Sequence, residues 1–391
     1  MSARSQRLYF IDAIRAFAII MMLQGHFVHT LLDTSLVNTS GFFYGLWEYF
    51  RGITAPTFFT ITGFVFTFLL LKKNDAVSLQ NPRVKKGLRR GLKLLFWGYV
   101  LRFNLSFFVV GFKDFFFFID VLHIIGLSLI LLIGLYLLLY RYSARLFQYT
   151  LLGIGFVVFL LERSYANAPL ELLPEFFANY FTKAHGSVFT IFPWFGYVAL
   201  GSFLSIIFLR QYQKEGFYRL AIYNLAIVGL LLVHFSSYFL MVLFEFTGIE
   251  IFKASAGYNY LFSRFGDVLV LFSLFLVIRR WMAKSIFTDL GGRTLSIYIL
   301  HYILLYGSWL GIGFSRYWHH SLSPLQVILG AIAFIMIICT TVLLYYRFGD
   351  QWIERGKAIA MRKISMSGSW LVAVISKLQP IQAIVLRFRN R

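Results

Sequence analysis

Mostly apolar segments recur about ten times along this chain, near residues 9–32, 54–71, 90–111, 119–140, 145–161, 188–209, 219–244, 261–279, 293–314 and 324–346. Each approaches the roughly 20 residues that an α-helix needs to cross the hydrocarbon core of a bilayer. A backbone in hydrocarbon must satisfy its own hydrogen bonds, so such runs become helices packed on helices. The expected fold is an all-α polytopic bundle of about ten transmembrane helices. The sequence has 59% hydrophobic and only 14% charged residues, against roughly 25% charged in a soluble domain. Its 46 Phe residues are more than one aqueous core could hold, and most are expected to face lipid. No polar linker or fixed-period repeat divides the chain. Residues 1–346 therefore read as one transmembrane domain and 347–391 as a basic tail.

The net charge of +21 excludes little by itself. Its distribution is more telling. If the N-terminus lies in the cytoplasm, the inner segments hold 28 of the 37 Lys and Arg residues, in loop after loop, and the outer segments hold eight. That asymmetry follows the positive-inside rule and places both termini inside. The basic residues are then matched to anionic lipid, and no nucleic-acid partner is expected. The tail mixes Trp370–Ile375 and Ile381–Phe388 with cations and reads as an amphipathic helix on the membrane surface. The lone Cys339 rules out an intrachain disulfide. The first apolar run contains Asp12 and Arg15 and lacks a small-residue cleavage site, so it reads as a retained helix. The lack of a transit sequence leans toward a bacterial inner membrane.

Ionisable residues inside a bilayer are costly and point to function. The first helix carries Asp12, Arg15, Gln24, His26 and His29. Arg15 and His26 are about three turns apart on one face, with His26 roughly 16 Å further across the membrane. Asp12 and Arg15, at i and i+3, can pair. His123 on the fourth helix, Arg264 and Asp267 on the eighth, and Tyr298 and His301 on the ninth lie at similar depths. Any one His could simply bond a neighbouring carbonyl. His29, His234, His319 and His320 are read in that way, and Arg264 with Asp267 could neutralise each other. There is no H-E-x-x-H, cysteine cluster or Gly-rich phosphate loop, so neither a metal nor nucleotide hydrolysis is expected.

Phe10–His26, FIDAIRAFAIIMMLQGH, resembles the first helix of membrane acyltransferases. Arg51–Phe64, Asp120–Leu132, Phe192–Leu204 and Leu290–Tyr306 resemble further segments of that superfamily, in order along the chain. Two groups are similar: the acyltransferase-three sugar O-acyltransferases, whose Arg-then-His spacing matches Arg15 and His26, and bacterial relatives of heparan-α-glucosaminide N-acetyltransferase. The resemblance implies an acyl-coenzyme A donor, with acetyl-coenzyme A as the simplest case. Arg15 and the basic segment with Lys85, Lys86, Arg89 and Arg90 would hold its phosphates. His26 would be the catalytic base, His301 a second catalytic group, and Asp267 or Tyr298 would orient the imidazole. The acceptor would be a glycan or lipid-linked sugar of the cell envelope. A secondary transporter using the same polar path is the alternative, with a noncatalytic membrane protein a further one. The enzyme expectation requires Arg15 and His26 to share one enclosed space.

Overall fold

The computed structural model describes residues 8–72, 76–112, 114–282 and 286–348. Ten longer helices fall at the ten expected places: α1 Tyr9–Leu31, α2 Phe42–Leu71, α3 Pro82–Arg102, α4 Val121–Leu135, α5 Ala144–Leu160, α6 Ile191–Gln211, α7 Phe217–Thr247, α8 Tyr260–Val277, α9 Thr294–Tyr306 and α10 Pro324–Phe348. One π turn, Tyr136–Tyr140, extends α4. Seven of these segments are long and apolar enough to cross a membrane (α1, α2, α4, α6, α7, α8 and α10), and the shorter α5 and α9 are apolar too. The described residues through Ile338 form one compact unit, and those from Cys339 on belong to a second. The tail expected to lie on the membrane falls outside the described residues beyond Phe348.

The solvent for this bundle is evident from what it leaves outside. Phe235 and Phe239 on α7 are 57% and 61% exposed, and Leu220, Ile227 and Leu231 of the same helix are also uncovered. Apolar surface on that scale is stable only against lipid.

Helices meet closely where glycine removes the side chain. A Cβ at Gly63 would lie 1.9 Å from the Val198 carbonyl oxygen, and one at Gly201 would lie 1.9 Å from that of Thr60. α2 and α6 therefore touch backbone to backbone, the small-residue mode of packing in membranes. The α3 face that packs inward is Val84, Gly87, Gly91, Leu94, Gly98 and Leu101, a repeat of three or four residues.

Three boundaries differ from the sequence expectation, each for a local reason. α2 begins at Phe42 instead of near residue 54, because Trp47, Glu48 and Arg51 extend the helix beyond the apolar run. The basic stretch from Arg83 to Lys93 is not a loop. Asn81 caps Arg83, Pro82 takes the first helical position, and the stretch is the first half of α3. α9 ends at Tyr306, not near residue 314, because Gly307 takes a left-handed conformation with φ 71°. The chain then runs through a tight turn, with left-handed φ at Trp309 (70°) and Gly311 (67°), pinned to the end of α3: Trp309 N–H donates to the Phe103 carbonyl (3.0 Å) and Leu105 N–H to the Trp309 carbonyl (2.8 Å). This irregular backbone is paired within the protein, as hydrocarbon requires.

Pro56 lies inside α2 and offers no N–H to the Gly52 carbonyl one turn earlier. The Tyr260 hydroxyl of α8 reaches that carbonyl at 3.4 Å. The proline thus creates a tie between α2 and α8 beside the site.

Candidate active site

A cavity of about 960 Å³ runs through the bundle. Arg15, Ile19, Met22, Gly25, His26 and His29 of α1 line it, which is one face of a helix with 3.6 residues per turn. From Arg15 to His29 the lining covers about 21 Å of helix rise. α2, α3, α4, α6, α8 and α9 supply the other walls, with Val188 and Phe189 ahead of α6.

At one end, the Arg15 guanidinium donates to the Thr294 hydroxyl (3.0 Å) and approaches the Asp12 carboxylate at 3.5 Å. Thr294 begins α9, so the ends of α1 and α9 are joined beside the cation. Arg90 of α3 lines the same end. Lys85, Lys86 and Arg89 do not line the cavity. They are exposed on the outward side of α3, because the glycine stripe turns the opposite face into the bundle.

Midway, the two histidines expected from α1 and α9 come together. The His26 and His301 rings are 5.3 Å apart, edge to face. His26 Nδ1 is 3.1 Å from the Tyr306 hydroxyl, which also lies 3.4 Å from the Thr30 hydroxyl. The hydroxyl at the His26 ring is thus that of Tyr306. His301 is fully buried behind the cavity wall. Its ring nitrogens reach only the Ile297 and Tyr298 carbonyls of its own helix, outside good hydrogen-bond geometry. Tyr298, Tyr302 and Tyr306, four residues apart, all line the cavity.

Asp120 is a functional candidate that enters the sequence analysis only as the start of the segment Asp120–Leu132. One carboxylate oxygen accepts the Val121 N–H, capping α4, and the other accepts the Tyr298 hydroxyl at 2.9 Å. Asp120 and Arg102 both line the cavity. The same cap explains His123, whose Nδ1 accepts the Asp120 N–H at 3.0 Å. That ring fills the space over Gly98, where a Cβ would come within 2.6 Å of it. His123 is thus part of the capping box and does not line the cavity.

At the far end stand Glu48, Tyr49, Arg51, Tyr260 and Arg264. Asp267 lies behind this rim and does not reach His26. It pairs with Arg264 at 3.0 Å and accepts the Tyr49 hydroxyl, which is the mutual neutralisation allowed by their i, i+3 spacing. His234 is exposed on the lipid-facing side of α7, and His320 Nδ1 lies 3.0 Å from the Leu32 carbonyl. Among the described residues, no three His, Cys, Asp or Glu side chains converge as metal ligands.

Signals for some missed groups were present in the sequence. The Tyr298–Tyr302–Tyr306 spacing marks one helical face, and the Gly87–Gly91–Gly98 series marks the inward side of α3. The Tyr306–His26 and Tyr298–Asp120 pairs span 280 and 178 residues, beyond any local pattern.

No curated protein matches the chain. A family profile described as "Heparan-alpha-glucosaminide N-acetyltransferase, catalytic" matches residues 7–237, which include Arg15, His26, Arg51, Arg90, Arg102 and Asp120. The match covers more than half of the 391 residues, and the chain, an integral membrane protein, belongs to this transmembrane acetyltransferase family.

Proposed function

We propose that the protein transfers an acyl group, an acetyl group in the simplest case, from the thioester of coenzyme A to a hydroxyl or amine of a glycan or lipid-linked sugar at the outer face. The supporting observation is that Arg15 and His26 line one cavity whose far rim is a separate polar mouth. Its volume of about 960 Å³ is at the upper end of the roughly 300–1,000 Å³ range of ligand pockets. Arg15 and Arg90 suit the anionic phosphates of the donor. Lys85, Lys86 and Arg89, exposed on the same half of α3, would raise the local donor concentration by long-range attraction. The Arg-then-His spacing shared with acyltransferase-three sugar O-acyltransferases supports the same division of roles.

In this mechanism the acceptor lone pair attacks the thioester carbonyl carbon while His26 Nε2 takes the acceptor proton. The Tyr306 hydroxyl at Nδ1 holds the ring in place. Collapse of the tetrahedral species breaks the carbon–sulfur bond, and the proton passes from His26 to the departing sulfur, releasing coenzyme A as the thiol. General base catalysis of this kind contributes roughly 10²–10⁴-fold. His301, packed edge-on to His26, is a second proton carrier in this scheme.

The test is coenzyme A thiol release by purified His26→Ala protein in lipid nanodiscs. Loss of activity in a protein that elutes like the wild type supports the role. Wild-type turnover rejects it. Substrate uptake into proteoliposomes without thiol release would reassign the chain to transport.

A further inference from the structure

Two guanidinium groups stand at the outer end of the cavity in different electrostatic states. Arg264 is committed: Asp267 pairs with it at 3.0 Å, and its guanidinium lies 4.3 Å over the Tyr49 ring. Arg51 also lines the cavity. Among the described residues its side chain makes no hydrogen bond and no ion pair, and its guanidinium lies over the Trp47 ring, at 5.4 Å. Trp47 is itself fixed by donating its indole N–H to Gln24 Oε1 at 2.7 Å. Glu48, one turn back on α2, lines the same mouth without pairing to Arg51.

The position of Arg51 relative to the catalytic histidine is fixed by glycine. Arg51 Cγ lies 3.3 Å from where a Cβ on Gly25 would stand, so the arginine stem crosses α1 at the residue before His26. A side chain at position 25 would press on that stem. From Arg15 to Gly25 is about 15 Å of helix rise, so Arg51 is distinct from the donor-phosphate end. A cation within a membrane protein is costly without a counter-charge. A guanidinium presents five donors in a fork that matches carboxylate or phosphate.

We infer that the acceptor carries an anionic group, a carboxylate or a phosphate, close to the hydroxyl or amine that is acylated, and that Arg51 binds it. The inference rests on the acyltransferase reading and narrows its acceptor to acidic sugars. The Trp47–Gln24 pair holds the cation toward the reacting end.

The experiment uses the full-length protein in lipid nanodiscs, saturating acetyl-coenzyme A and three acceptors: glucosamine, glucosamine 1-phosphate and 2-amino-2-deoxyglucuronic acid. Thiol release gives kcat/KM for each, and calorimetry gives direct binding of each sugar. The wild type should favour one anionic acceptor over glucosamine by about tenfold or more, as expected for a charge-assisted bidentate contact. The favoured arm identifies phosphate or carboxylate. Arg51→Gln should bring that ratio to about one, whereas Arg51→Lys, which keeps the charge, should retain part of it. Both variants should elute like the wild type. Equal use of all three acceptors by the wild type, or a preference that survives in Arg51→Gln, would overturn the inference. Thiol release without discrimination leaves acyl transfer standing and removes the anion subsite. Arg51-dependent binding of an acidic sugar without thiol release does the reverse.

Discussion

The Tyr306 hydroxyl stands 3.1 Å from Nδ1 of His26, across two helices and 280 residues of sequence. With Nδ1 so occupied, Nε2 is the nitrogen left to meet substrate in the cavity. Tyr306→Phe keeps the ring and removes this bond. A neutral hydrogen bond is worth about 0.5–1.5 kcal/mol, so kcat should fall by up to about tenfold. The Michaelis constant for acetyl-coenzyme A should hold steady. An unchanged kcat in steady-state assays would show that Tyr306 does not orient the imidazole.

Arg15 donates to Thr294 at 3.0 Å. Arg15→Ala should weaken donor binding by tenfold or more, the order expected when a charge-assisted contact is lost. Thr294→Val leaves the charge and removes only this bond, so it should weaken binding only a few-fold. Titration of both variants with coenzyme A, followed by calorimetry, checks the order. Equal losses would mean that position matters as much as charge.

His301 is buried without a well-formed hydrogen bond. A buried polar group in that state costs about 1–3 kcal/mol, a cost retained where function needs it. His301→Phe should therefore raise the thermal midpoint while lowering turnover. A variant that is both more stable and fully active would assign the residue to packing alone.

Asp120 caps α4 with one oxygen and accepts Tyr298 with the other. Asn is as good an N-cap as Asp, whereas Ala at such a position costs about 1 kcal/mol. Asp120→Asn should melt close to the wild type and Asp120→Ala clearly below it, as read by fluorescence-detected thermal unfolding.

A Cβ at Gly63 would meet a backbone carbonyl at 1.9 Å, while one at Gly153 would meet nothing within 4 Å. Overpacking costs about 1–3 kcal/mol even where side chains can yield, and a carbonyl in a helix cannot rotate away. Gly63→Ala should sharply reduce the yield of monodisperse protein, and Gly153→Ala should leave it unchanged. Size-exclusion profiles of the two variants decide this.

The order of helices was legible because hydrocarbon imposes a length and leaves little choice of secondary structure. The shared face of Arg15 and His26 followed from helical arithmetic, and the structure places both on one cavity. The end of α9 at Gly307 was not legible, because apolar residues continue past it while the backbone turns left-handed. Arg90 could not be separated from Lys85, Lys86 and Arg89 by charge. Only the facing of the glycine stripe on α3 distinguishes them. Asp120 was hidden by its own cap, since an Asp before an apolar run already has a sufficient local explanation.

The glycine contact between α2 and α6 bears on how substrates reach the cavity. Helices that slide past one another do so on side chains that change rotamer, and this seam places Gly63 and Gly201 directly against carbonyls. That wall is a fixed abutment. The α3–α4 seam is closed in the same way, a Cβ at Gly91 or Gly126 lying 2.9 or 2.6 Å from the other's carbonyl oxygen. A rocking cycle that exposed the cavity first to one face and then the other would have to shear the backbone-to-backbone joint of α2 and α6.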